Sequence, residues 1–158
     1  MQSIHAFKAK GIGGQEIDFA AFRGRKIMVV NVASECGYTP QYEQLQELYE
    51  NFKDKLVIVG FPSNDFGNQE PAEDAEIAAF CTSIYGVSFP MASKVTILGP
   101  HPHPVYQWLT QKALNGVADS EVRWNFQKYL LDESGQLSGH LTSSISPFEE
   151  AVLDWINS

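Results

Sequence analysis

Cys36 and Cys81 are the only thiols in the chain, and the thiolate form of such a group is a nucleophile and a metal ligand. Cys36 follows an apolar run and precedes a helical pattern that opens at Thr39-Pro40. The carboxyl ends of buried strands are where α/β sheets bind ligands. A helix start favours an anion through its free N–H groups and its dipole, by about 0.3–1 kcal/mol at exposed sites. That is less than the roughly 1.4 kcal/mol equivalent to one pKa unit, so holding a thiolate needs further donors. Glu35, next in the chain, opposes an anion if its side chain lies close. Position alone leaves Cys36 as either a reactive thiol or a small buried hydrophobe. The two cysteines together allow a buried pair, a redox pair, or one reactive thiol and a bystander. A Cys-x-x-Cys redox motif is absent, because Thr39 stands where its second cysteine would be. His101-Pro-His103 is the only close histidine pair, His5 and His140 are scattered, and no ligand spacing for structural zinc results. The Gly11-Ile-Gly13-Gly14 run neither follows a buried strand nor completes a dinucleotide fingerprint.

The elements around Cys36 follow from periodicity. Residues 27–34 are almost continuously apolar, as in a strand covered on both faces. Residues 40–53 place Tyr42, Leu45, Leu48, Tyr49 and Phe52 on one helical face, with Thr39 at the N-cap place and Pro40 at the first helical position. Residues 56–62 form a second buried strand, so the strand–helix–strand unit predicts parallel pairing through a right-handed crossover. After a polar loop at 63–73, residues 74–84 predict a helix with Ile77, Phe80, Cys81 and Ile84 inward. A third helix is expected over 103–115, a hairpin from 127–133 and 136–143 turning at Ser134-Gly135, and a closing helix over 147–157 that begins with Pro147. Residues 1–24 read as an irregular lead-in with a turn or hairpin at Gly11, Gly13 and Gly14. This order predicts an α/β fold with a central mixed sheet flanked by helices on both faces, the thioredoxin-like arrangement.

A chain of 158 residues fits one domain spanning 1–158. It has 11 Lys and Arg against 19 Asp and Glu, a net charge of −8. That balance disfavours nucleic acid and anionic membrane surfaces. No apolar run approaches the roughly 20 residues a spanning helix needs, and no signal peptide is visible at Met1–His5. A cytoplasmic protein is the expectation, or a periplasmic one if a leader has been removed.

Three segments carry a family resemblance. Asn31-Val-Ala-Ser-Glu-Cys36-Gly-Tyr-Thr39, with Gln41-Tyr42 after it, resembles the glutathione peroxidase segment around the catalytic residue. Gly60-Phe-Pro-Ser-Asn64-Asp-Phe-Gly67-Asn-Gln69-Glu-Pro71 resembles that family's second signature, and Trp124-Asn125-Phe126 before Lys128-Tyr129-Leu130 its third. Weaker similarity, including Ser146-Pro147, extends over most of the chain. The resemblance implies a catalytic set of Cys36, Gln69, Trp124 and Asn125, in the cysteine rather than the selenocysteine form. Taken singly, Trp124 would be a core aromatic and the two amides turn or surface polars. Together they supply neutral N–H donors for a thiolate and for the oxygen that leaves as a peroxide O–O bond breaks. Two departures stand out: the family's frequent Phe-Pro-Cys-Asn-Gln-Phe has Ser63 and Asp65 here, and the Gly usual before the glutamine is Asn68.

The family's thioredoxin-dependent branch carries a resolving cysteine on the helix after its Gln-Glu-Pro segment. Cys81 resembles that position, although its spacing with Ile77 and Ile84 also suits a buried helix residue. The implied cycle runs from a Cys36 sulfenate to a Cys36–Cys81 disulfide reopened by thioredoxin, with no cofactor or metal. Glutathione as donor to a one-cysteine enzyme, or a redox relay that oxidises a partner protein, are the alternatives. A helix cysteine facing the core is poorly placed for a disulfide, so residues 74–88 are expected to unwind in each cycle, with Gly86 and its polar neighbours making that cheap. Short connections between residues 100 and 123 imply, by the same resemblance, a monomer with an open site.

Overall fold

The computed structural model describes residues 2–158. Its main sheet has four strands in the order β4-β3-β5-β6, formed by β3 (Lys26–Val32), β4 (Leu56–Pro62), β5 (Lys128–Leu131) and β6 (Leu137–Leu141). A separate antiparallel hairpin, β1 (Lys8–Lys10) with β2 (Glu16–Asp18), gives the lead-in more structure than expected and turns through the predicted glycines. β3 pairs with β4 in parallel and with β5 antiparallel. All seven residues of β3 and of β4 are buried. The reason is helices on both faces, which turn these two strands into apolar runs instead of alternating ones.

Alternation along the strands divides the core. Ile27 and Val29 join Val57, Val59, Phe61, Tyr129 and Leu131 on one face. There they meet the hairpin and α3 (Pro104–Thr110), which contributes Val105, Tyr106, Trp108 and Leu109. Met28, Val30 and Val32 join Ile58 and Leu130 on the other face. That side is covered by α1 (Gln41–Asn51), α2 (Asp74–Tyr85) and α5 (Glu150–Asn157). Cys36 and Cys81 both belong to this second cluster. The arrangement is thioredoxin-like, as its element order predicts. No helix among the described residues is long and apolar enough to cross a membrane.

Several boundaries differ from the sequence expectation, each for a local reason. Helix 103–115 is two pieces, α3 and α4 (Lys112–Asn115), because Gln111 between them is extended (φ −116°, ψ 114°). The Thr110 hydroxyl donates to the Tyr106 carbonyl at 2.7 Å, a back-bond that bends helices, and Asp119 caps the Lys112 N–H at 2.7 Å. The closing helix starts at Glu150, since Ser146 turns the chain first by accepting from the N–H groups of Phe148 and Glu149. Ile84, expected inward, is 63% exposed in the last turn of α2. α1 begins at Gln41 with no side-chain cap, because the Thr39 hydroxyl is engaged elsewhere.

Lys128 is fully buried on β5 and donates to the carbonyl oxygens of Phe126 (2.8 Å) and Ser143 (3.1 Å). Burial pulls its pKa down to about 7 from 10.5. Between those values the unfolded chain holds a proton that the folded chain has released, so stability rises with pH. Urea melts are expected to show that rise from pH 7 to 9, at most about 1.4 kcal/mol per pH unit, and Lys128→Met to lack it. Above pH 9 the buried Cys81 thiol, pushed up to about 11 from 9.0, works in the opposite direction.

Candidate active site

Topology brings the three singled-out segments to one edge of the sheet. Parallel β3 and β4 end side by side, with Val32 opposite Pro62. Antiparallel β5 begins at that same edge, with Lys128 opposite Val30. The loop after β3 carries Cys36, the loop after β4 carries Gln69, and the segment entering β5 carries Trp124 and Asn125. Direct bonds lock the segments together. Asn31 Nδ2 donates to the Trp124 carbonyl (2.9 Å), and the Glu35 N–H donates to the Gln69 carbonyl (3.0 Å).

Cys36 is 7% exposed and sits in a tight turn instead of directly on the helix. Its own N–H donates to Thr39 Oγ1 (2.9 Å), and that hydroxyl donates onward to the Ala33 carbonyl (2.8 Å). Thr39 therefore braces the loop around the sulfur. The Tyr38 N–H points at Cys36 Sγ (3.3 Å), giving the sulfur one fixed backbone donor. Glu35 is exposed, where solvent screening weakens its opposition to an anion.

The polar partners are ordered more specifically than the sequence implies. Asn125 is fully buried and spends its amide hydrogens on the Phe66 carbonyl and on Gln69 Oε1, both at 3.1 Å. Holding Gln69 by its oxygen turns the other end of that amide outward. Among the described residues, neither Gln69 Nε2 nor Trp124 Nε1 donates to a protein acceptor, and no side-chain bond joins either to Cys36 Sγ. Both residues are half-buried, so the two N–H groups stay uncommitted. Asn68 (φ 55°) and Phe126 (φ 66°) are the non-glycine residues with left-handed backbone among those described, and each adjoins one of the two amides. Strain of this kind persists where the surroundings enforce it. Asn tolerates the left-handed region better than most residues, which accounts for Asn68 where the family has Gly.

Gly67 (φ 73°) packs beneath the indole: a Cβ there would lie 2.6 Å from Trp124 Cη2. Gly67→Ala is expected to push the Trp124 ring away and to cost about 1–3 kcal/mol of stability. Peroxide kcat/KM should fall about tenfold if the indole N–H stabilises the departing oxygen. Urea melts and steady-state rates on one preparation check both parts.

Cys81 lies on α2 and is 2% exposed; both cysteines are free thiols. Burial raises its pKa to about 11, offset in part by the nearby Tyr42 hydroxyl. Tyr42 Oη still makes no hydrogen bond of regular geometry. Gly86, expected to loosen the helix, instead caps it in the left-handed conformation. Its N–H reaches the Thr82 carbonyl and that of Val87 the Cys81 carbonyl, both at 3.1 Å, a Schellman closure. A cleft of about 570 Å³ is lined by Cys81, Ala78, Tyr49, Phe89 and Met91 and by none of the other four candidates.

Four further residues shape the site. Asn31, Ser34, Asn64 and Glu70 hold its loops by hydrogen bonds, Asn64 Oδ1 accepting from the Glu70 N–H (3.0 Å). Asn31 alone had a visible signal, as a polar residue inside a buried strand that must find a partner. Asp65, one of the departures, anchors a neighbouring loop by accepting from the N–H groups of Ile97 (2.7 Å) and Leu98 (3.0 Å). Ser63, the other, is fully buried, and its hydroxyl accepts from the Asp65 N–H (3.3 Å). His103 of the close histidine pair caps α3, its Nδ1 accepting from the Val105 N–H.

Residues 4–110 match the glutathione peroxidase family. A protein of Halalkalibacterium halodurans named glutathione peroxidase homolog BsaA is 46% identical over 148 residues, covering 93% of this chain and 94% of that one. The glutathione peroxidase-like peroxiredoxin gpx1 of Schizosaccharomyces pombe is 42% identical over 149 residues, 93% of each chain. Among solved structures, that of Trgpx in apo form superposes with a TM-score of 0.75 at 30% identity, covering 99% of this chain and 97% of the other.

Proposed function

The chain belongs to the glutathione peroxidase family and is a thiol peroxidase, and we propose that Cys36 is its nucleophile and Cys81 its resolving thiol. The observation that carries this assignment is the meeting of three strand ends. The loops that carry Cys36, Gln69, Trp124 and Asn125 all leave or enter the strands at that edge, the Cys36 sulfur bears a backbone donor, and Asn125 holds Gln69 by its amide oxygen.

In the first step the Cys36 thiolate attacks one peroxide oxygen. An S–O bond forms and the O–O bond breaks, leaving a sulfenic acid and an alkoxide or hydroxide that takes a proton to become alcohol or water. Gln69 Nε2–H and Trp124 Nε1–H are the donors available to the departing oxygen. Asn125 orients Gln69. In the second step Cys81 sulfur attacks the sulfenate: the S–S bond forms, the S–O bond breaks and water leaves. A dithiol then reopens the disulfide by two exchanges and carries the oxidation away. Thioredoxin is the proposed donor, because an internal disulfide is the natural substrate of a protein dithiol.

The test is NADPH consumption with thioredoxin, thioredoxin reductase and hydrogen peroxide, with glutathione and its reductase in parallel. Peptide mass mapping of peroxide-treated protein accompanies it. Turnover with thioredoxin and a cross-linked Cys36–Cys81 peptide are expected. Turnover with glutathione alone and no cross-link would return Cys81 to the core.

A further inference from the structure

The resolving step needs a proton acceptor that Cys36, Gln69, Trp124 and Asn125 do not provide. The Cys81 thiol is buried and enters the reaction protonated, yet only a thiolate attacks a sulfenate at a useful rate. Two side chains act on that thiol, Tyr42 from α1 and Glu70 from the loop before α2. Both are fully buried and each keeps one unpartnered atom, Tyr42 Oη and Glu70 Oε1. Buried polar atoms left unpaired are costly, and such an exception calls for an explanation.

Their placement fits one. The Tyr42 ring lies between the two cysteine neighbourhoods. It packs edge-on against Phe126 (5.4 Å between centroids), the residue after Asn125, and against Phe80 (6.4 Å) on α2, and tilted against Tyr85 (5.5 Å) on the same helix, Phe80 being adjacent to Cys81 and Tyr85 one turn beyond it. Glu70 is tied to the Cys36 side. Its Oε2 accepts from Ser34 Oγ (2.8 Å), two residues before Cys36, and its backbone is fixed by Asn64 (3.0 Å) and Lys94 (3.4 Å). Glu70 precedes Asp74, the first residue of α2, so its station survives any opening of that helix.

Resting on the assignment of Cys81 as the resolving thiol, we propose that Glu70 is the base of the resolving step and that Tyr42 positions the thiol. Glu70 Oε1 takes the Cys81 proton as the sulfur attacks the Cys36 sulfenate. The S–S bond forms, the S–O bond breaks, and the carboxyl returns that proton to the departing hydroxide as water. No external oxidant or reductant enters. Tyr42 O–H donates to the sulfur while it is anionic. The charged and titratable groups whose fields reach this pair are Glu35 on the first loop, Lys94, and Cys81 and Tyr85 on α2. Burial raises the Glu70 pKa, moving it towards neutrality, where a general base works best.

The test separates the two steps. Protein mixed with peroxide is quenched at intervals with a thiol-alkylating reagent, and intact masses count sulfenate and disulfide from pH 5 to 9. Glu70→Gln, which keeps the size and the Ser34 acceptor, is expected to slow disulfide formation relative to sulfenate formation by about 10²-fold at pH 7. Its rate should then climb about tenfold per pH unit, following the thiol. Wild type should instead rise with the carboxyl and level off. Glu70→Asp should keep the wild-type profile shape, and Tyr42→Phe should slow the same step. A Glu70→Gln profile parallel to wild type overturns the inference. Cys81→Ser in parallel distinguishes the failures: if it still forms a disulfide-mass species at the normal rate, the assignment of Cys81 is wrong and the inference falls with it. If it blocks the step while Glu70→Gln does not slow it, only the role of Glu70 fails.

Discussion

Cys36→Ser removes peroxide turnover with any thiol donor, a fall on the order of 10³-fold or more, and leaves the protein folded. The serine hydroxyl is close in size to the thiol, but it does not ionise near neutral pH and is a poor nucleophile without an adjacent base. Among the described residues no histidine or lysine bonds to Cys36, and the hydrogen bond that its sulfur takes part in is one it accepts, from the Tyr38 N–H. A donor-only site stabilises an anion that already exists and cannot create one from an alcohol. The loop itself should survive, because its bracing runs through Thr39 Oγ1, Ala33 and the Cys36 backbone and not through the sulfur. Thermal melting within about 1 kcal/mol of wild type, with no sulfenate trapped by a dimedone-type reagent, is the expected pair of results. Retained turnover would move the nucleophile elsewhere, and Cys81 is the one remaining thiol.

The parts of the site that were legible in the sequence are those in which one residue type does one job. Strands β3 and β4 announce themselves as apolar runs, and the sharp end of each is where ligands are expected. The hairpin β5–β6 is marked by Ser134-Gly135. What the sequence could not carry is how polar groups are shared. Thr39 reads as a helix cap by position, yet its hydroxyl braces the Cys36 loop, and α1 starts without it. Asn125 reads as a donor to sulfur, yet its hydrogens are spent on Phe66 and Gln69. The Asn125 choice depends on partners 56 and 59 positions away that periodicity does not see, and the Thr39 choice on a turn that folds its hydroxyl back onto Cys36 and Ala33. Ile84 and the break at Gln111 fail for a simpler reason: helical spacing says which residues share a face, not where the core beneath that face ends.

Cys81→Ser is expected to separate the first turnover from all later ones. Peroxide should still oxidise Cys36 in one burst, since the Cys36 loop draws no hydrogen bond from the Cys81 thiol and the donor set is untouched; steady-state turnover with thioredoxin should then fall about 10²-fold or more. The fall has a structural condition attached. A disulfide requires Cα atoms within about 7 Å, and Cys81 faces the core from the middle of a helix whose C-terminal cap clasps its own carbonyl. The bond is expected to form with that cap broken, which adds the cost of opening Gly86 and Val87 to the barrier to resolution. Amide exchange over residues 74–88 reads this directly. Faster exchange in the peroxide-oxidised wild type, absent in oxidised Cys81→Ser, would tie the opening to the disulfide. Equal protection in reduced and oxidised wild type would mean that α2 stays closed, and Cys81 would then be one more buried helix residue beside Ile77. The cap also sets the direction of a further change. Gly86→Ala puts a side chain at φ 60°, which disfavours the closed cap by about 1–2 kcal/mol. If opening limits the cycle, that variant resolves its sulfenate faster than wild type while melting at a lower temperature.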